Sequence, residues 1–161
     1  LKYGQIAKRS ISTDPNQVVK VASAYIKGLQ ANGIQTVLKH FPGLGGVESD
    51  THKERSSATR DFQEGLDVFY RLRQTGSWIM FGHAIYPNQD TLPASMSPFW
   101  HEKGSNFPVS IADDISMGGV GLSFIESLET SRDLNTLTIV MHSQQQLSQY
   151  LENHDDMKKL K

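Results

Sequence analysis

Asp50 and His52 stand two residues apart at the end of the stretch KHFPGLGGVESDTH, residues 39–52, which also carries Lys39, His40 and glycines at 43, 45 and 46. In an extended segment, side chains at i and i+2 point the same way, so the carboxylate is placed to accept a hydrogen bond from the imidazole. That contact fixes the tautomer, raises the basicity of the ring and leaves its second nitrogen to move a proton near neutral pH. Glycines beside the pair suit a loop that closes over a substrate. An acid and a histidine also neighbour each other by chance in many exposed loops, and spacing alone leaves both readings standing.

Three further polar groups sit where chemistry is feasible. Lys39 and His40 end the short β-rich run IQTVLKHF. There they donate hydrogen bonds to sugar hydroxyls or phosphate oxygens, or else His40 is satisfied by backbone and Lys39 by solvent. Asp113 and Asp114 follow the apolar residues 109–112. Adjacent carboxylates do not share one pocket cheaply and side chains alternate along a strand, so at most one faces a site. Parity groups Asp113 with Val109 and Ile111; if those two face helices, Asp114 is the inward acid. The other carboxylate then caps the SMGGVG turn or bonds to backbone. His83 ends the run SWIMFGH, whereas His101, His142 and His154 lie in polar helical stretches and carry no assigned role. Trp78 and Trp100 read as packing residues rather than sugar platforms.

These groups need elements to hold them. In STDPNQVVKVASAYIKGLQANGI, Asp14 caps a helix, Pro15 suits its first turn, and Gly33 stops it. Val18, Val19, Ala22, Tyr25, Ile26 and Leu29 form its apolar stripe. A second helix lies in DFQEGLDVFYRLRQTG and ends at Gly76, a third runs from about residue 119 to 130, and a last one starts near Ser143. Strands fall near residues 35, 78, 108 and 136. Short β-rich runs separated by helices imply βαβ units and a parallel sheet. His40, His83 and Asp113 or Asp114 each end a strand, and Asp50 and His52 follow one. Parallel α/β folds bind ligands at that edge.

The totals narrow the class. The chain has 161 residues, 37% of them hydrophobic, enough for one domain with a core. No apolar run approaches the roughly 18 residues of a spanning helix, so no membrane partner is expected. With 16 basic against 17 acidic residues and no basic block, no nucleic-acid partner is expected either. There is no cysteine, which excludes disulfides and thiolate chemistry within these residues. The compartment stays open between cytoplasm, the favoured setting, and periplasm or secretion.

Four stretches together resemble one family. LKHFPGLGGVESDTH is similar to the K-H-F-P-G-H-G…D-S-H signature of family 3 glycoside hydrolases of the bacterial β-N-acetylglucosaminidase type. IMFGHAIYPNQDTLPASMSP resembles the M-T-A-H-V-x-Y-P…P-A-S-L-S-P segment, and VSIADDISMGG the V-I-S-D-D-L-S-M stretch. AKRSISTDPNQVVKVASAYIKGLQANGI resembles R-S-F-S-x-D-P and the helix after it. The likeness runs in order over residues from about 5 to 120, with a divergent tail over 121–161, all within a single partial barrel domain over 1–161.

The resemblance implies an α/β fold of the (β/α)8 barrel type. It also implies retaining, two-step hydrolysis of terminal β-linked N-acetylglucosamine, typically from peptidoglycan fragments, with no cofactor and no metal. Asp113 matches the nucleophile, the first Asp of its pair, which overrides the parity argument. His52 matches the acid/base with Asp50 as its partner, and Arg9, Lys39 and His40 match residues that hold the sugar. The glycines of the loop would let the pair swing onto the glycosidic oxygen. Leu44 stands where the family has a second His, and the segment between Ser97 and Phe107 is short for the family's helix there. A complete barrel takes about 250 residues, so only its C-terminal half is expected here, without the opening strands and their sugar-binding Asp. Such a half would associate with itself or with the missing half.

Other classes stay open at this level. One is a catalytically impaired sugar-binding or assembly fragment of such a barrel. Another is a metal-dependent barrel hydrolase using His40, His52, His83 and an Asp, although closely spaced ligands such as H-x-H are missing. A phosphorylase variant, using an imidazole that repels phosphate less than a carboxylate would, is a further one.

Overall fold

Asp14 and Pro15 start the first helix as their types dictate. In the computed structural model, which describes residues 9–47, 49–59 and 61–154, the Asp14 carboxylate accepts from the Asn16 amide at 2.9 Å and α1 runs Pro15–Gln30. Gly33 turns the chain left-handed at φ 74°. Glu48 of the KHFPGLGGVESDTH stretch, and the residues of the AKRSIS stretch before Arg9, lie outside the described residues.

After α1 come β1 (Val37–Phe41), β2 (Ser56–Ser57), α2 (Gln63–Leu72), β3 (Trp78–Phe81) and β4 (Ala84–Ile85). They are followed by α3 (Pro98–Gly104), β5 (Ser110–Ala112), α4 (Phe124–Asp133), β6 (Leu137–Thr138) and α5 (Gln144–Asn153). β1, β3, β5 and β6 form one parallel sheet in that order, half the strands of a (β/α)8 barrel. The small parallel pair of β2 with β4 had no signal in the sequence, since each strand is two residues long.

Register sorts the side chains of the sheet onto two faces. Phe41, Phe81 and Ala112 pair across β1, β3 and β5, as do Leu38, Ile79 and Ser110 one row earlier. These rows face the helices. Phe41, Ile79 and Phe81 are fully buried with Leu66, Phe69, Trp100 and Phe107, and Ala112 is buried with Met96, Ile115 and Val120. Phe41 meets Phe69, Phe81, Trp100 and Phe107 edge-on at centroid distances of 5.2, 5.3, 6.3 and 6.0 Å. Trp100 is therefore core, as its sequence context implied.

The alternate rows, Val37 with Trp78 and Lys39 with Met80, Ile111 and Leu137, face the other way. That face is open: Val37 is 36% exposed and Leu137 is 56% exposed.

Two expectations need correction. Tyr25 is 70% exposed, outside the buried stripe of α1, of which only Ile26 is fully buried. α1 packs sideways on α2, and this leaves the Tyr25 flank uncovered. The helix expected from residue 119 starts only at Phe124. Residues Gly118–Val120 form a 3₁₀ turn and Gly121 turns left-handed at φ 68°, so the helix waits for a capping box at Ser123 and Glu126.

Candidate active site

β5 presents its acid to the inner side. Ala112 is packed against the helix layer, so alternation sends Asp113 to the opposite face with Ile111. Parity grouped Asp113 with Ile111 rightly, but Ile111 lies on the open face and not under the helices. Asp113 is the inward acid and Asp114 is not. The His40 Nε2 lies 3.3 Å from Asp113 Oδ2, and the Asp114 amide donates to Oδ1 at 2.9 Å. Burial pushes the Asp113 carboxyl up, but the hydrogen bonds from His40 and the Asp114 amide outweigh it and hold the group at about 2. An ionised carboxylate only accepts, so His40 presents its Nε2–H.

The backbone of β3 makes room for this pair. A Cβ at Gly82 would stand 3.0 Å from the His40 Cβ and 3.4 Å from Leu44 Cδ2. Leu44, at the position of the family's second His, is buried in the core and forms an apolar wall beside Gly82. Pairing of β1 with β3 shifts register between Lys39 and Phe41, where the Lys39–His40 peptide bond is cis.

Asp114 has a different task. It is 3% exposed and accepts from the Ser116 hydroxyl at 2.7 Å, the Ser116 amide at 3.1 Å and the Met141 amide at 3.2 Å. It bonds to backbone, as one of the two acids was expected to, and ties the β5 loop to the segment after β6. His83 supports the same loop from below. Its Nε2 donates to the Asp114 carbonyl at 3.0 Å, and its Nδ1 accepts from the Ser95 hydroxyl at 2.7 Å. A carbonyl only accepts, which fixes that tautomer. Burial lowers the His83 pKa below 6.5 against the opposing pull of Asp113 and the Asp114 carbonyl, so the ring is neutral. His83 was noted as a strand-end polar residue and, in the metal-dependent reading alone, as a ligand; nothing local in the sequence reveals that it props the loop of Asp113. His101, also unassigned, stacks on Phe81 at 4.1 Å and bonds the Ser95 carbonyl and the Thr136 hydroxyl at 2.9 Å each, which makes it packing.

Asp50 and His52 do form a pair. The His52 Nδ1 lies 2.8 Å from Asp50 Oδ1, and the His52 amide donates to the same oxygen at 3.1 Å. The geometry is a turn, not the extended segment that i, i+2 spacing suggested: the Lys53 and Glu54 amides both donate to the Asp50 carbonyl, at 3.0 and 3.2 Å. The amide and ring of His52 hold the Asp50 carboxyl below its ordinary value. Because the carboxylate accepts at Nδ1–H, Nε2 is the atom left for proton transfer. The His52 side chain is 66% exposed.

Arg9, His40, Asp50, His52 and Asp113 line one cavity of about 140 Å³. Of the six residues singled out in the sequence, only Lys39 is absent from it. Lys39 is exposed and borders the adjoining cavity of about 600 Å³ between α1, α2 and β1, which Arg9 and His40 also border. Among the described residues, no group of three or more His, Asp or Glu side chains is placed to hold a metal ion. Both His83 nitrogens are already engaged.

The neutral, buried His83 makes stability depend on pH. The unfolded ring takes its proton near 6.5 and the folded ring only at lower pH, so stability falls as pH drops through 6.5. The buried ring of His101 acts in the same direction. The depressed carboxylates enter only below their ordinary 3.8. Urea unfolding at about pH 7 and about pH 5.5 should therefore show a loss of stability on acidification, and His83→Gln should make that loss smaller. An equal loss in both proteins would mean that His83 charges in the fold.

The glycosyl hydrolase family 3 N-terminal domain matches residues 2–160. A β-hexosaminidase of Tolumonas auensis is 36% identical over 130 residues, which are 73% of this chain and 39% of that protein. One from Photobacterium profundum is 35% identical over 127 residues, 71% of this chain and 37% of its own length. NagZ from Neisseria gonorrhoeae, in complex with N-trifluoroacetyl-D-glucosamine, shares the fold at a TM-score of 0.77 and 30% identity, over 89% of this chain and 44% of that one. Zinc-bound CbsA from Thermotoga neapolitana is alike in fold, with a TM-score of 0.82 at 24% identity over 98% of this chain and 36% of that one. The chain thus spans less than half the length of each of these proteins. A family match over nearly every residue, on a half-barrel with its polar groups at the strand ends, shows that the chain belongs to the glycosyl hydrolase family 3 N-terminal domain family.

Proposed function

We propose that this chain carries the catalytic rim of a retaining β-N-acetylglucosaminidase. The observation that supports it most is the pairing, in one cavity, of an ionised Asp113 with a histidine whose Nδ1 is fixed on Asp50. In the first step an Asp113 oxygen bonds to the anomeric carbon as the bond to the leaving oxygen breaks, and His52 Nε2–H delivers its proton to that oxygen. In the second step the neutral His52 takes a proton from water, the water oxygen bonds to the anomeric carbon, and Asp113 departs as a carboxylate. Asp50 stabilises the imidazolium at both stages. Arg9 and His40 hold sugar hydroxyls within the cavity, and Lys39 reaches the sugar from the adjoining cavity that both of them also border. The β-hexosaminidase relatives, and the sugar bound by the NagZ neighbour, support N-acetylglucosamine as the sugar recognised, with peptidoglycan-derived saccharides as its source.

Turnover of an aryl β-N-acetylglucosaminide by the full-length protein is the direct test. Asp113→Asn should lower it by roughly a thousandfold or more, while Asp114→Asn leaves a measurable rate in a less stable protein. The reverse ranking would overturn the assignment of the nucleophile.

His52→Ala separates protonation from the rest of the chemistry. Substrates with poor leaving groups should lose roughly a hundredfold or more, whereas activated aryl glycosides, which depart without a proton, should lose far less. Equal losses would assign His52 a structural part only.

A second reading, a fragment that binds or assembles without turnover, draws on the open sheet. Val37 and Leu137 are exposed on the inner face, and β1 and β6 are the outer strands of the four. An uncovered apolar layer with free strand edges favours association. The 161-residue chain alone should therefore show no measurable glycosidase turnover. Its sedimentation mass should rise with concentration; a monodisperse monomer with turnover would refute this.

A further inference from the structure

The loop that carries Asp50 and His52 is docked in this structure, on the loop that begins with Asp113. The Gly119 amide donates to the Thr51 carbonyl at 2.9 Å, and the Gly118 amide donates to the His52 carbonyl at 3.1 Å. Thr51, between the two acid/base residues, is 8% exposed. The approach is close enough to forbid any side chain. A Cβ on Gly118 would stand 2.1 Å from the Lys53 carbonyl oxygen and 2.6 Å from its carbon, and one on Gly119 would stand 2.3 Å from the Thr51 oxygen. The atoms met are backbone, which cannot rotate aside as a side chain does.

Neither glycine is there for its conformation. The positive-φ glycines are Gly33, Gly43, Gly76 and Gly121, so the angles at 118 and 119 are open to any residue. What these positions require is the absence of a side chain against the dyad loop. The loop is held at its two ends by other contacts: the Tyr86 hydroxyl donates to the Gly43 carbonyl at 2.5 Å, and β2 pairs with β4. Between those ends, the Gly118–Gly119 contact is the tie that sits beside His52 itself.

We propose that the Gly118–Gly119 turn is a positioning element for proton transfer, a backbone latch that sets His52 relative to Asp113. One loop then serves both partners of the reaction. Its first residue is the carboxylate at the end of β5, and five residues on it grips the backbone of the acid/base pair. His83 underlies both ends, through the Asp114 carbonyl and through its Cβ, which lies 3.2 Å from where a Gly119 Cβ would be. The inference rests on the reading of His52 as the acid/base.

The test uses the full-length protein with Gly118→Ala and Gly119→Ala, each alone. Trypsin under native conditions reads the latch without any activity, because Lys53 and Arg55 lie on the held loop. Cleavage there should be roughly tenfold faster in the variants, with the thermal midpoint little changed. In kinetics, kcat for a substrate with a poor leaving group should fall roughly tenfold or more while an activated aryl glycoside and KM change little, since misplacing a proton donor by about 1 Å is costly. Equal trypsin rates in all three proteins, or parallel losses on both substrates, would overturn the proposal. If the variants do not fold, hydrogen exchange in the unaltered protein decides: protected Gly118 and Gly119 amides support the latch, and freely exchanging ones refute it. If the unaltered protein turns over neither substrate, the proposed function fails on its own, and the trypsin and exchange results still judge the latch.

Discussion

Keeping a carboxylate charged while taking much of its surface from water is costly unless donors replace the lost water. Asp113 meets that condition with two donors, the His40 ring and the Asp114 amide, and the rest of the rim serves to keep them there. His40 needs space, which Gly82 gives by having no side chain. The Asp114 amide needs a fixed backbone, which the Asp114 carboxylate and the His83 ring supply from either side. Removing any one of these leaves a charged oxygen short of a partner, and so the polar residues of the rim stand or fall as a set.

What makes such accuracy available is the packing one residue away. Phe41, Phe81 and Ala112 are fully buried in a single paired row across three strands. His40 adjoins the first, Gly82 the second and Asp113 the third. Burying a side chain of phenylalanine size contributes about 1.5–3 kcal/mol, and the aromatic contacts around Phe41 add to it. The strand ends are thereby held on their helix side, and a side chain that leaves the strand just beyond this row starts from a fixed point.

Much of this was legible in the letters because it is local. Asp14, Pro15 and Gly33 bound a helix through contacts within a few residues, and the apolar runs around Ile79 and Ile111 were long enough to place strands. The Asp50–His52 contact was legible too, though an i, i+2 spacing does not tell an extended segment from the turn that forms. What stayed hidden depends on partners far along the chain. Which face of β5 is inward follows from what α4 covers, and so parity alone pointed to Asp114. Tyr25 fits a helical period, yet its exposure follows from α1 packing sideways on α2. Gly118 and Gly119 look like turn glycines until the Thr51 and Lys53 carbonyls are seen against them. Lys39 adjoins His40 in sequence, yet only His40 lines the cavity of Asp113, and Lys39 borders the adjoining one.

The protons held in the cavity, and by His83 beside it, limit which group can act as acid. Asp113 and Asp50 are both held below their ordinary values by hydrogen bonds, so neither carries a proton at neutral pH. His40 has its Nε2–H committed to Asp113, and a transfer from there would strip that carboxylate of a donor it needs to stay charged. His83 is neutral, buried, and committed at both nitrogens. His52 alone among these combines an imidazole with a carboxylate on one nitrogen and nothing owed to Asp113 on the other. Among the described residues, the contact that lowers the Asp50 pKa thus leaves the His52 ring with one nitrogen uncommitted, the property that the proposed two-step displacement asks of its acid and base.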